Sequence, residues 1–397
     1  MPNHFRITKA GTVILSAAKD LQVGSGGKKL QILRCAQVVR CGDFSSFCFD
    51  GQHAGLSMLG MTWFEGGFPQ PIRVVLCAVA LAICSWLAVA KDAIARATDQ
   101  GQGTTNSFTY YVTVSGLGGE PEYQQRFDAL AKDLDQIFRT TTDAHVYTLS
   151  GDSATRAHLA ETLSAVARDA KAADDFVLVL IGHGSFDGAD YKFNLRGPDA
   201  TAAELAAWCD RIQSKRQLIV NTTSASGGSI SALARPGRAV ITATKNGTEK
   251  NATVFARYWV EALRDPAADV DKNEAVSALE TFRYAASKTV EFYASQKRLA
   301  TEHAVFEDTG KHDPVREASA DSGEGLLMSS FTLLRLGSAQ NAANDQAKHA
   351  LLAQKEALER QIDVLKYQKA SMSEDDYKQQ LTAALVKLAR IQEELDK

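Results

Sequence analysis

A basic excess is missing from this chain. Its 44 Lys and Arg face 47 Asp and Glu, for a formal charge of -3 over 397 residues. That argues against a nucleic-acid partner, because domains that grip phosphate backbones carry a basic face and a high pI. Cysteine is scarce where the chain reads as folded. Of the six, Cys35, Cys41, Cys48, Cys77 and Cys84 precede residue 90, and only Cys209 follows. No internal disulfide is expected there, so the fold must rest on a core large enough to do without one. Long apolar runs are absent too, with one exception. Val74–Ala90 reads VVLCAVALAICSWLAVA, preceded by Arg73, ending in the small-x-small Ala88-Val89-Ala90 and followed by Lys91-Asp92. That is the layout of a secretory signal. It is at the short limit for a spanning helix, so an uncleaved anchor and a buried helix are the alternatives. Export to a periplasm or the medium is expected, with membrane association only if the segment stays uncleaved.

The rest divides by composition. Residues 1–60 lack sustained periodicity and read as unstructured or untranslated upstream sequence, with Met58 or Met61 as the start. Residues 61–90 hold the signal or anchor, and 91–106 form a polar linker. From 107 to 335, short apolar runs alternate with segments of helical period. Tyr110–Val114, His145–Leu149, Phe176–Ile181, Leu218–Val220 and Ala239–Ala243 read as strands, the last of these closing the series. Between them Phe127, Leu130, Leu134 and Ile137, then Leu159, Leu163 and Val166, fall at helical spacing. Leu205 and Trp208 mark a short helix, and Phe255–Leu263 and Ala275–Tyr293 two more. Strand and helix in alternation predict an α/β domain: a mostly parallel sheet with helices on both faces. Runs such as FVLVLI fit strands buried on both sides.

The tail, 341–397, is rich in Ala, Leu, Glu, Lys and Gln. Its leucines recur at three and four, and Ser371-x-x-Glu374 offers a capping box between two runs. This predicts an antiparallel helical hairpin, either a surface for self-association or a hairpin packed on its own domain.

Two strand ends carry residues suited to chemistry. Gly182-His183-Gly184-Ser185 follows FVLVLI, and Asn221-Thr222-Thr223-Ser224-Ala225-Ser226-Gly227-Gly228-Ser229 follows the strand at Leu218. In open parallel sheets, sites form at the carboxyl ends of strands. Each loop alone is equally consistent with a structural turn. Together, an apolar strand ending in His-Gly and, about forty residues on, an apolar strand ending in x-x-Ser-Gly resemble the legumain-like branch of the caspase-fold cysteine peptidases. The resemblance spans roughly Tyr110–Thr309. It implies a caspase-like sheet, with His183 as general base and the Gly184 N–H in the oxyanion hole. Ser224-Ala225-Ser226-Gly227 matches the family's Cys-x-Ser-Gly, which puts Ser224 at the nucleophile and Ser226 and Gly227 beside the substrate.

Serine there changes the chemistry. A thiol is readily ionised, whereas a hydroxyl needs an adjacent base and a third group to orient that base. No carboxylate is assigned to orient His183, although Asp187 and Asp190 lie near it in sequence. Cys209 belongs to a helix and is expected in the core. Three readings follow. One is a peptidase-related protein, catalytically impaired, that binds a peptide or protein. Another is a serine-type hydrolase using Ser224 and His183. The third is an assembly protein acting through its tail. None calls for a cofactor or a catalytic metal.

Smaller features remain. Counting from Asp269, oxygen-bearing residues stand at positions one, three, five, nine and twelve (Asp269, Asp271, Asn273, Ser277, Glu280), the layout of an EF-hand loop. The sixth position should be glycine and is Glu274, so a helix start capped by Asp271 or Asn273 is the competing reading. Lys245, Lys250 and Arg257 follow the final strand, where a caspase-like sheet lines its specificity pocket. They suit acidic side chains, or form a solvated basic loop. Thr301–Asp313 is polar, a lid or a surface loop. Asn221, Asn246 and Asn251 open Asn-x-Thr sequons.

Overall fold

The computed structural model describes residues 107–397; the readings for 1–60, the Val74–Ala90 segment and the linker to 106 lie outside the described residues. The described residues form one compact unit. Its elements run β1 (Thr109–Ser115), α1 (Pro121–Phe138), β2 (Ala144–Leu149), α2 (Arg156–Asp169), β3 (Asp175–Ile181), β4 (Gly184–Phe186), β5 (Tyr191–Phe193) and β6 (Ala200–Thr201). Then come α3 (Ala202–Cys209), β7 (Arg216–Asn221), α4 (Ile230–Leu233), β8 (Arg238–Thr242), α5 (Phe255–Ala262), β9 (Ala275–Ser277) and α6 (Ala278–Ser295). The last are β10 (Val305–Glu307), α7 (Leu326–Ser329), β11 (Thr332–Arg335), α8 (Gly337–Asn344), α9 (Gln346–Gln368) and α10 (Glu374–Leu395).

The α/β class, the mostly parallel sheet and the terminal helix pair are all present. The main sheet has the order β2-β1-β3-β7-β8-β10, parallel throughout except for β10. Its central strands are buried at nearly every position and mostly apolar in the middle, because both faces are covered. Successive side chains point to opposite faces. Val177, Val179 and Ile181 of β3 therefore join one core with α1, α5 and α6, while Phe176, Leu178 and Leu180 join another with α2, α3 and α4. Cys209 is free and buried in the second core, as expected. Capping boxes start α3 at Thr201 and Glu204, and α6 at Ser277 and Glu280.

Several details depart from the sequence reading. The Ala239–Ala243 strand does not close the series. β10 follows from inside the polar run 301–313, so that run is neither a lid nor a plain surface loop at its centre. Residues 275–277 are a strand paired with β11, and α6 starts only at Ala278, capped by Ser277 rather than by Asp271 or Asn273. A small antiparallel sheet, β4-β5-β6, lies between β3 and α3. The last helix is capped by Ser373, whose Oγ accepts the Asp376 N–H at 3.1 Å, not by Ser371.

The helix pair docks on its own domain through α9. Leu352, Ile362 and Leu365 are buried, Arg335 grips Glu356 with bonds of 2.6 and 3.1 Å, and the Tyr367 hydroxyl donates to the Glu324 carbonyl at 2.9 Å. Of α10, only Ala384 is fully buried.

Candidate functional site

From β1 the chain steps outward to β2, then returns to β3 on the other side of β1. Such a reversal opens a crevice at the carboxyl ends of the strands, and β3 and β7 deliver their loops to this rim. Their register fixes the relation between them. Leu180 pairs with Asn221, so His183 and Ser224 each stand three residues beyond the same paired rung.

The two loops touch. The Gly184 N–H donates to Ser224 Oγ at 3.1 Å, and the Ser224 hydroxyl donates to the Gly184 carbonyl at 3.0 Å. The glycine permits this approach. A Cβ at 184 would lie 2.5 Å from Tyr191 Cε2, 2.6 Å from the Ser224 carbonyl and 2.7 Å from Thr223 Oγ1. Ser224 is 3% exposed. Ala225, next in the chain, takes φ 57°, a left-handed conformation costly for a residue with a Cβ; its N–H donates to the Glu249 carbonyl at 2.7 Å.

His183 is half-buried, and its ring faces α1. It meets Tyr123 and Phe127 edge-on, with centroids 4.8 and 5.1 Å away. Burial pushes its pKa below 6.5 and the nearby Arg126 adds to this, while the Gly118 backbone and Glu120 push the other way. Among the described residues the ring makes no hydrogen bond to Ser224. Asp187 and Asp190 do not orient it either. Asp187 closes a turn, accepting the Ala189 and Asp190 N–H groups at 3.0 and 2.8 Å.

The rest of the Asn221–Ser229 loop is a lattice of mutually satisfied hydroxyls. Asn221 Oδ1 accepts from Thr223 Oγ1 at 2.8 Å and from Tyr191 at 3.2 Å. Asn221 Nδ2 reaches Ser229 Oγ at 3.0 Å. Ser226 Oγ lies 3.1 Å from Thr244 Oγ1 and accepts the Thr244 N–H at 3.1 Å, while the Gly227 N–H donates to Thr244 Oγ1 at 2.9 Å. Thus Gly184 and Ser224 meet at the rim, whereas Ser226 and Gly227 bond to the loop after β8.

Beside His183 lies a cavity of about 260 Å³ between the sheet rim, α1 and α5. Phe127, Leu130, Ile181, Val254 and Phe292 give it apolar walls, and Arg126 and Arg257 are exposed at it. Neither arginine forms an ion pair among the described residues; they lie over the rings of Tyr123 and Tyr258, 5.2 and 5.4 Å from the centroids. Lys245, by contrast, is paired with Glu249 at 3.7 Å. An apolar slot with two free guanidinium groups suits a side chain that is acidic at its tip. The sequence pointed to Arg257 as a candidate pocket residue, to Phe127 only as a helix position, and not to Arg126, Tyr123 or Gly118. These lie on or before α1, and only the fold brings them to the histidine.

No family model matches the chain, and no curated protein does. Solved structures similar to it include a protein from Geobacter sulfurreducens (13% identity, 52% of this chain and 94% of that one, TM-score 0.37). The Drosophila initiator caspase Dronc shares 13% identity over 52% of this chain and 81% of its own (TM-score 0.34). Caspase-1 from Spodoptera frugiperda shares 9% over 51% and 87% (TM-score 0.36). These values are low, and the α/β class rests on the sheet order and register above.

Proposed function

We propose that this is a peptidase-related protein of caspase type that holds a peptide or protein partner at the β3–β7 rim and is impaired as a hydrolase. The observation that carries this reading is the engagement of Ser224. Its hydroxyl proton points to the Gly184 carbonyl, and its lone pair takes the Gly184 N–H. A nucleophile needs that proton directed at a base, and the backbone N–H that would cradle an oxyanion is already occupied. His183, whose pKa burial lowers, makes no contact with that hydroxyl. The cavity beside it remains open, and its two arginines favour a partner with an acidic side chain.

Export of the chain, read from Val74–Ala90, belongs to the same proposal. The test is a pair of measurements. Peptides with an acidic residue should bind the wild-type chain, and binding should weaken in Arg126→Ala and Arg257→Ala. No hydrolysis should accompany it, while Ser224→Cys should gain slow, His183-dependent cleavage. Wild-type cleavage abolished by both Ser224→Ala and His183→Ala would replace this reading with the serine hydrolase.

A further inference from the structure

Away from the rim, three carboxylates stand together with no lysine or arginine paired to them among the described residues. Asp269, Asp271 and Glu280 each bring an oxygen within 4.8 Å of the others. Among the described residues none of them is ion-paired, and the nearby amines go elsewhere. Lys272 Nζ donates to the Pro266 oxygen at 3.2 Å and Lys355 Nζ to the Asn273 oxygen at 3.0 Å; Lys355 also pairs with Glu359 at 3.9 Å. Asp269 is 5% exposed. Its Oδ2 accepts the Glu274 N–H at 3.2 Å, but its Oδ1, shielded from solvent, has no hydrogen-bond partner. A buried carboxylate oxygen without a donor is unfavourable unless something of opposite charge faces it.

The loop around this oxygen is already wound. Asp271 Oδ1 accepts the Asn273 N–H at 3.2 Å, and Asn273 Oδ1 accepts the Ala275 N–H at 2.8 Å. Glu280 closes the ring, taking the Val270 N–H at 2.9 Å on Oε1 and the Ser277 N–H at 2.9 Å on Oε2. Glu274, at the sixth position where a sharp turn normally calls for glycine, itself adopts the left-handed φ of 66°. The short helical turn Pro266–Ala268 enters the loop and α6 leaves it.

We propose that Asp269–Glu280 binds one calcium ion, with side-chain oxygens from Asp269, Asp271, Asn273 and Glu280. An all-oxygen set in an irregular loop suits calcium better than magnesium, which demands near-octahedral geometry and keeps its waters. The non-glycine turn puts the affinity at the weak end of such loops, about 10⁻⁴ to 10⁻³ M. The ion would brace the start of α6 against the C-terminal helices. Asn273 receives Lys355 of α9, and Glu274 Oε2 accepts the Ala339 N–H of α8 at 2.9 Å. This site is independent of the peptidase-related reading.

The test is calorimetry of the chelator-treated chain with calcium chloride, paired with thermal unfolding. One ion should bind per chain and raise the unfolding midpoint, since a ligand of the native state stabilises it. Asp271→Asn, at an exposed position, and Glu280→Gln should each weaken binding about tenfold or more. Absence of both heat and midpoint shift at millimolar calcium would overturn the site. So would binding that neither variant weakens. Magnesium binding as tight as calcium would overturn the choice of ion.

Discussion

Ser224 and Gly184 hold each other twice: one hydroxyl accepts from the glycine's N–H at 3.1 Å and donates to its carbonyl at 3.0 Å. The clasp joins the loops of two adjacent parallel strands. A serine that is part of the scaffold and a serine kept for chemistry differ in what their removal does. Removing a catalytic residue commonly stabilises a protein. Ser224→Ala, which strands two backbone groups in a place 3% exposed, is instead expected to destabilise by about 1–3 kcal/mol. Urea unfolding of the two chains measures this, and a more stable variant would count against the clasp.

Gly184→Ala addresses the same contact from the other side. Its Cβ would lie 2.6 Å from the Ser224 carbonyl and 2.5 Å from the buried ring of Tyr191. The loops must part or the core must shift, at a cost of about 1–3 kcal/mol for overpacking. Thermal unfolding indistinguishable from wild type would show that the rim is looser than this geometry requires.

Stability should fall with pH through the titration of Glu302. This carboxyl, 2% exposed, accepts the Val254 and Phe255 N–H groups at 2.8 and 3.2 Å at the start of α5 and the Tyr293 hydroxyl at 2.9 Å. Burial nevertheless raises its pKa from 4.5 to about 7, since desolvation outweighs those three donors. The folded state thus binds this proton more tightly than the unfolded one. The contribution is fully present below pH 4.5 and is lost as pH rises through about 7. Glu302→Gln should flatten the fall in unfolding free energy over that window by roughly 1 kcal/mol per pH unit. An unchanged slope would assign the fall to other groups.

Cys209 is expected to be inert in the native protein. It is fully buried, and desolvation pushes its thiol up to about 12, so almost no thiolate forms at neutral pH. Mass mapping after iodoacetamide treatment should leave the Cys209 peptide unmodified until urea unfolds the chain. Native labelling would reopen the possibility that this thiol takes part in chemistry.

The sheet was largely legible because FVLVLI and AVITA are short, β-branched apolar runs that fit buried strands, and periodic leucines and phenylalanines marked the helices between them. β10 was hidden because it is three residues long and flanked by acids. One of those acids, Asp308, is buried with partners supplied from far away, the N–H groups of Gly325, Leu327 and Met328. The hydroxyls of Ser224 and Ser226 announced a loop but not their partners, Gly184 and Thr244. Such pairings follow from strand register, which no local pattern encodes. The spacing of Asp269 to Glu280 was legible too; what sequence could not show is that Glu274 adopts the glycine-like turn itself.

β10 comes late. Strand β8, complete at Thr242, waits for Val305–Glu307 before its outer side is bonded. A nascent chain halted in that interval would present a row of free amides and carbonyls able to template pairing with another molecule. Fragments ending between residues 243 and 304 should therefore precipitate, while the antiparallel seal, once formed, removes that hazard from the finished protein.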